Sequence, residues 1–323
     1  MKAILQVLFA TLLALRSAFA ADPAYPQNPI RLIIPYVVGG GTDTVGRLLA
    51  EPMAKILGTR IVVDNRPGGT GSIGAMAVKT APPDGYTIML HGSGFVQFPL
   101  LSGNAPYDIK EFAPIAHAVD APFFFIVNQN TPARSIPELI DYAKKNPGKL
   151  NYGSTGIGSP GHLTGELFQS LTGTKLTHIP YKGGAQVQLA MLSNEVQLYW
   201  DSVSAYAPYQ ASGQLKPLAV GRHDRFSAAP EVVGMSEAGV PELKDFEAGF
   251  WLGFLAPAGT PPAVIDKLNA AVSQTLALPA VRDRLATLGF EPVGGSAQAF
   301  TRRLSADQTR WASIIKEARI TAE

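Results

Sequence analysis

The chain alternates between two hydrophobic rhythms. Short runs rich in β-branched and aromatic residues predict strands at Ile30–Pro35, Ile61–Val63, Thr87–Leu90, Phe123–Val127, Lys149–Tyr152, Val196–Trp200, Leu215–Val220 and Gly249–Leu255. Between them the apolar positions recur every three or four residues, the spacing of one helix face. Val45, Leu48, Leu49 and Met53 form one such stripe, and Leu163, Leu167, Phe168 and Leu171 form another. Ile265, Leu268, Val272 and Leu276 form a third, and Leu304, Trp311, Ile314 and Ile315 belong to a last helix. Strands alternating with helices predict an α/β protein with two mainly parallel sheets flanked by helices.

The pattern repeats. At an offset of 115 residues, Gly41, Gly46, Leu48 and Glu51 meet Gly156, Gly161, Leu163 and Glu166. At the same offset Gly58-Thr59-Arg60-Ile61 meets Gly173-Thr174-Lys175-Leu176, and Gly68-Gly69 meets Gly183-Gly184. Each copy reads strand, glycine-rich loop, amphipathic helix, glycine stop, strand, Gly-Gly. Two similar units facing one another across a cleft follow from this reading, with equivalent loops opposed.

Those loops are the candidate chemistry. Val38-Gly39-Gly40-Gly41-Thr42-Asp43 and Tyr152-Gly153-Ser154-Thr155-Gly156-Ile157-Gly158-Ser159 each end a strand and open a helix. Glycine lets the backbone approach a ligand, and a helix start offers unpaired N–H groups at a positive dipole end, which together favour an anion. A single loop of this kind reads equally well as a tight turn with a Ser or Thr N-cap; two at matching positions favour a site. Two G-x-G-x-x-G matches, at Gly69, Gly71, Gly74 and at Gly156, Gly158, Gly161, lack the acidic partner about 20 residues on that a nucleotide ribose requires, so no nucleotide cofactor is expected.

Composition narrows the classes. The start of the chain, with Lys2, the apolar run Ala3–Leu15 and Ala18-Phe19-Ala20, reads as a cleaved signal peptide over residues 1–20, too short to span a bilayer. Removing Lys2 and Arg16 leaves 25 basic against 25 acidic residues, a balance that gives no reason to expect nucleic acid or an anionic membrane surface as partner. With no cysteine, disulfides, thiolate metal sites, a cysteine nucleophile and a lipid anchor are excluded. The remaining 303 residues exceed what one core usually holds. Ser313-Ile314-Ile315-Lys316 matches S-x-x-K but lies on an amphipathic helix. His162 and Glu166 share a helix face without a third metal ligand. His91 and His117 read as structural, His178 and His223 carry no pattern, and Phe123-Phe124-Phe125 suits a buried strand.

The ordered motifs Pro29-Ile30-Arg31-Leu32, Gly39-Gly40-Gly41-Thr42-Asp43, Asn65-Arg66-Pro67-Gly68, Pro83-Asp84-Gly85-Tyr86-Thr87, Pro147-Gly148-Lys149-Leu150-Asn151-Tyr152, His162-Leu163-Thr164-Gly165-Glu166-Leu167-Phe168, Pro180-Tyr181-Lys182-Gly183 and Leu255-Ala256-Pro257-Ala258-Gly259-Thr260-Pro261 cover nearly the whole chain after the leader. In these the chain resembles the extracytoplasmic solute receptors of the tripartite tricarboxylate transporter, the Bug family. The resemblance implies a two-domain periplasmic-binding-protein fold of type II kind, with residues 26–128 and 249–323 in one domain and 129–248 in the other. It implies a periplasmic receptor that performs no chemistry and holds a ligand carboxylate between the two glycine loops, partly through bridging waters, for delivery to membrane transporter subunits. A monomer without cofactor or metal is expected; a secreted enzyme or a sensor on the same frame are the alternatives.

The chain departs from the family where Tyr36-Val37-Val38 replaces Phe-Pro-Pro and where His91-Gly92-Ser93-Gly94-Phe95 replaces a Thr-Ser-Gly-Thr-His tendency. The candidate ligand contacts are Tyr36, Gly40, Gly41, Thr42, Asp43, Ser93, Phe95, Ser154, Thr155, Gly158, Ser159 and Asp201. Aromatic surface from Tyr36, Phe95, Phe250 and Trp251 favours an aromatic or dicarboxylic acid over citrate.

Overall fold

A computed structural model describes residues 25–321; the leader expected at 1–20 lies outside the described residues. In chain order the elements are β1 (Ile30–Ile34), α1 (Gly41–Leu57), β2 (Ile61–Asn65), α2 (Ser72–Lys79), β3 (Thr87–Gly92), α3 (Gly94–Leu101), β4 (Phe112–Pro122) and β5 (Phe124–Asn128). Then come α4 (Ile136–Lys145), β6 (Asn151–Ser154), α5 (Pro160–Thr172), β7 (Thr177–Pro180), α6 (Gly184–Leu192), β8 (Leu198–Asp201), α7 (Ala207–Gln210) and β9 (Leu215–Val220). The chain closes with β10 (Gly249–Pro257), α8 (Pro262–Ala277), α9 (Pro279–Thr287), β11 (Glu291–Pro292) and α10 (Ala297–Glu317). The first sheet has the order β11-β4-β10-β3-β1-β2 and the second β7-β6-β8-β5-β9.

The repeat is visible in the strand order. β2-β1-β3 and β7-β6-β8 are parallel triplets joined by helical crossovers in the same order. Beyond each triplet the strands run antiparallel, so both sheets are mixed where the sequence pointed to mainly parallel ones. The physical reason is exchange. β5 leaves the first half to pair beside β8, and β10 returns from the second half to pair beside β3, each entering against the local direction. Phe124–Asn128, grouped with the first domain in the sequence reading, therefore hydrogen-bonds within the second sheet.

Helices α1 and α5 end alike, at left-handed glycines Gly58 (φ 68°) and Gly173 (φ 64°), as the offset of 115 requires. Their starts differ. α1 has 17 residues and α5 has 13, so the turn that is helical from Gly41 is loop from Gly156. The gap-free match of Gly41 with Gly156 thus fails structurally: Pro160 opens the second helix. Strand β4 was not legible because Pro114, His117 and Asp120 interrupt its alternation.

Both faces of each sheet are covered. Ile30, Leu32 and Ile34 pack with Val45, Leu49 and Met53 of α1 and with Ile265, Leu268 and Val272 of α8. Ile33 and Met89 point the other way, into a cluster with Val78, Phe95, Trp251 and Phe300. In the second sheet Phe123, Phe125 and Val127 face one core while Phe124 and Ile126 face another, the period-2 division of a strand buried on both sides.

The C-terminal helix is fixed by one buried polar contact. Trp251 Nε1–H on β10 donates to Asp307 Oδ2 at 2.6 Å, and Arg303 Nε donates to Asp307 Oδ1 at 3.1 Å. Replacing Asp307 with Ala leaves the indole N–H buried without an acceptor, at a cost of about 1–3 kcal/mol. Denaturant unfolding is expected to show that loss for Asp307→Ala, and a smaller one for the Trp251→Phe/Asp307→Ala double variant, which removes donor and acceptor together.

Candidate functional site

The two parallel triplets present their βα loops to each other. Thr70 Oγ1, in the loop before α2, donates to the Ile157 carbonyl at 3.0 Å, joining the halves. A cavity of about 260 Å³ lies at this junction, lined by Gly69, Thr70, Phe98, Leu101, Ser102, Ile157 and Pro180. The first five belong to the first half and the last two to the second. None of the seven carries a charge. Thr70 has φ 52°, left-handed for a β-branched residue, a strained conformation of the kind that gathers at ligand clamps.

The first glycine loop is largely self-satisfied. Asp43 is buried in the first turn of α1 and accepts from Gly39 N–H at 2.9 Å, from Arg47 Nε at 3.0 Å and from Asn65 Nδ2 at 2.8 Å. Burial opposes its ionisation, but the bonds from Arg47, Gly39 and Asn65 prevail and hold its pKa below the ordinary carboxylate value. Asp43, expected to touch ligand, thus acts as the loop's internal anion, answering the positive end of α1 itself. Gly40 caps α1 without a side-chain bond, Gly41 is exposed with Phe290 nearby, and Thr42 is half-buried.

The second loop reaches across. Gly156 and Gly158 take φ 123° and 75°, and a Cβ on either would come within 3.3 Å of a first-half residue, Thr70 Oγ1 and the Phe98 ring respectively. The Ser154 hydroxyl, one of the expected ligand donors, is fully buried and spent locally: it contacts His178 Nε2 at 2.7 Å and both N–H and C=O of Gly156 at 3.1 Å. Ser159 caps α5 by accepting from His162 N–H at 3.4 Å, the plain N-cap role. Thr155 is half-buried on the same loop. Asp201 accepts from the Tyr199 hydroxyl and from Ser202 N–H; burial raises its pKa against those bonds, and it lies near the start of α6 beside Gly184.

The turn from β3 to α3 gathers free polar groups. His91 Nε2, Ser93 Oγ and both amide atoms of Gln97 are buried without a hydrogen-bond partner, where buried polar groups are ordinarily paired. Tyr36 stands beside them, its hydroxyl 3.4 Å from His91 Nδ1. Phe95 does not: it is wholly enclosed, stacked on Tyr107 at 5.3 Å and edge-on to Phe112 at 5.0 Å, and offers no surface to a ligand. Three residues on, Phe98 is the aromatic that reaches the cavity. Phe250 and Trp251 are likewise packing residues, against Phe123 and Phe300. Sequence reasoning missed Thr70, Phe98 and Gln97. The run Gly68-Gly69-Thr70-Gly71, noted only as a repeat mark and a rejected nucleotide motif, was the available signal.

Beneath the second loop, Tyr152, His178 and His162 stack, with centroids 4.8 and 4.3 Å apart. Glu166 accepts from the Tyr152 hydroxyl at 2.5 Å, so it does not join His162 at a metal, and among the described residues no cluster of three such ligands occurs. Ser313 donates to Glu317 one turn on along α10, on the exposed face of the helix.

Two sheets of this order, exchanging strands and sharing a cavity beside their glycine loops, define a two-lobed solute receptor. The chain belongs to the tripartite tricarboxylate transporter family receptors, whose family model matches residues 45–320. Among solved structures it is similar to a Rhodopseudomonas palustris protein determined with adipate, at 34% identity and TM-score 0.87 over 92% of this chain and 99% of that one. It is similar to the periplasmic binding protein BugD at 36% identity and TM-score 0.84, over 92% and 99% of the two chains. It also resembles MatC of R. palustris with bound malate, at 29% identity and TM-score 0.83 over 90% and 100%.

Burial lowers the pKa of His91 and His178 to about 4, and burial together with the charge of His178 lowers that of His162 to about 3. The unfolded chain binds these protons near pH 6.5 and the folded chain only near 4 or below, so between those values the unfolded state holds more protons. Stability is therefore complete above about pH 6.5 and falls as pH drops towards 4. Unfolding free energies measured from pH 8 to 4 are expected to show this decline, with a shallower slope for His178→Gln; an identical slope in that variant would contradict the assignment.

Proposed function

We propose that this chain is a periplasmic solute receptor that closes two lobes on a small carboxylate and passes it unaltered to membrane transporter subunits. The lobes are residues 26–122 with 249–321, and residues 123–248. The observation that carries this reading is the cavity shared by both halves, walled by Thr70 and Phe98 from the first and by Ile157 of the second glycine loop. The family membership supports it, as do relatives solved with adipate and malate. None of the expected contacts lines that cavity; beside it Tyr36, Gly40, Gly41, Thr42, Ser93 and Thr155 are left for ligand or bridging water, whereas Gly158 N–H donates to His162 Nδ1 at 3.2 Å, Asp43, Ser154 and Ser159 shape the loops, and Asp201 is held by Tyr199.

The ligand's body follows from the walls. Phe98, Leu101, Ile157 and Pro180 are apolar and no Lys or Arg lines the cavity, so a carboxylate on an aliphatic or aromatic frame suits it better than a heavily charged tricarboxylate. The aromatic argument now rests on Phe98 in place of Phe95.

An enzyme reading has one specific point in its favour, the Ser154–His178 contact at 2.7 Å. It lacks the rest of a nucleophile–base relay. Among the described residues His178 Nδ1 has no orienting partner, the hydroxyl is inaccessible, and a base with pKa near 4 is poorly matched to neutral pH. Incubation with the bound acid, followed by mass spectrometry, is expected to return it unchanged.

A thermal-shift panel of adipate, malate, benzoate, glutamate and citrate tests the ligand class. At a hundredfold excess over Kd, a bound acid stabilises by about 2.7 kcal/mol, which is several degrees for a protein of this size. Small-angle scattering is expected to show compaction with the same acid; no shift with any acid would overturn the receptor reading.

Thr70→Val keeps the side-chain shape and removes the bridge to Ile157. The loss of one hydrogen bond, about 0.5–1.5 kcal/mol, is expected to weaken binding severalfold by calorimetry, while Thr70→Ser retains affinity. Equal affinity in both variants would show that the bridge does not contribute to closure.

A further inference from the structure

We propose that the Tyr36 hydroxyl is a ligand-reading hydrogen-bond donor and that His91 is the positioning residue that keeps its proton free. The ligand-reading half rests on the receptor reading above; the His91 half rests on geometry alone.

His91 Nδ1 lies 3.1 Å from the Gly92 carbonyl oxygen. A carbonyl only accepts, and Nδ1 meets the Gly92 oxygen at hydrogen-bond geometry while Nε2, beside the Gly71 backbone, meets no partner at that geometry, so the proton is assigned to Nδ1. The same Nδ1 lies 3.4 Å from the Tyr36 hydroxyl. Once protonated it cannot accept from that hydroxyl. Among the described residues the phenol has no other partner, so its proton is left without an acceptor. The imidazole is fully buried, and burial keeps it neutral down to about pH 4, so this arrangement holds throughout the neutral range.

Glycine surrounds the Tyr36 hydroxyl. A Cβ on Gly71, Gly92 or Gly94 would stand 3.5, 3.8 or 3.6 Å from the Tyr36 hydroxyl, so the oxygen is ringed by three residues that have none. The Gly94 position is also 3.6 Å from Pro160 Cδ, which turns this concavity towards the second half at the start of α5. Ser93, between two of those glycines, is the buried hydroxyl without a partner. An uncharged hydroxyl donor in glycine-lined surroundings suits a carboxylate or carbonyl oxygen, and it discriminates against a ligand that presents an N–H or a methyl group there.

The test uses adipate, malate and benzoate as probes, by calorimetry on the full mature protein. For whichever binds tightest, Tyr36→Phe is expected to lose about tenfold or more in affinity with the unliganded melting temperature unchanged. His91→Asn, whose amide can replace the Nδ1 donor, is expected to retain most of the affinity. His91→Leu is expected to lose as much as Tyr36→Phe, and to add nothing when combined with it. In the unliganded wild type, imidazole ¹⁵N spectra are expected to show a protonated Nδ1 and a bare Nε2 for His91. Undiminished affinity in Tyr36→Phe, or additive losses in the double variant, would overturn the proposal, and the opposite tautomer would overturn the role of His91. If none of the three acids binds, the receptor reading fails together with the ligand-reading half, while the spectra still decide the tautomer.

Discussion

The architecture depends on a place where three passes of backbone meet with no side chain between them. Phe123 N–H donates to the Ala248 carbonyl at 3.0 Å, Ala248 N–H to Gly221 at 2.8 Å, and Gly221 N–H to Phe123 at 2.7 Å, closing a ring between the sheets. A Cβ on Gly249 would stand 2.6 Å from the Ala121 oxygen, so only glycine lets the outgoing and returning strands run this close. Because each strand then joins the other half's sheet, neither half completes its sheet without the other. The crossing is thus the join.

From that constraint the site follows. The crossing holds two copies of the same parallel triplet face to face, and the ends of β1, β3 and β6 converge where the chain turns into helices. Orientation is set by rigid elements while contact is made by loops, the usual division in α/β binding sites. The C-terminal helix adds a second tie. Trp311 and Ile320 pack with Leu163 of the second half and with Leu100 and Leu101 of the first, close to the side chains that wall the cavity.

Much of this was legible in the sequence because it is periodic. Helix stripes such as Val45, Leu49 and Met53 announce a buried face, and Gly58 and Gly173 stop their helices by the same left-handed turn, so two-fold duplication could be read directly. The strand exchange could not, since nothing local in Gly249 or Phe124 says which sheet it will join. The site was half legible. Glycine marked where backbone comes close, but residue type did not say which polar groups are already paired. Asp43 and Ser154 look like ligand donors in sequence and are consumed by Arg47, Asn65 and His178, partners distant along the chain or on the far side of a helix turn. Gln97 and Thr70 looked unremarkable, and only burial and backbone strain set them apart.

The unequal starts of α1 and α5 have a further result. Four residues at about 1.5 Å of helix rise each amount to roughly 6 Å of axis, and in the second copy that length is unwound into an arch while in the first it stays coiled around its own carboxylate. The repeated frame thus carries two loops of different length and form. The two loops therefore present unlike walls to whatever lies between them, one helical and one extended.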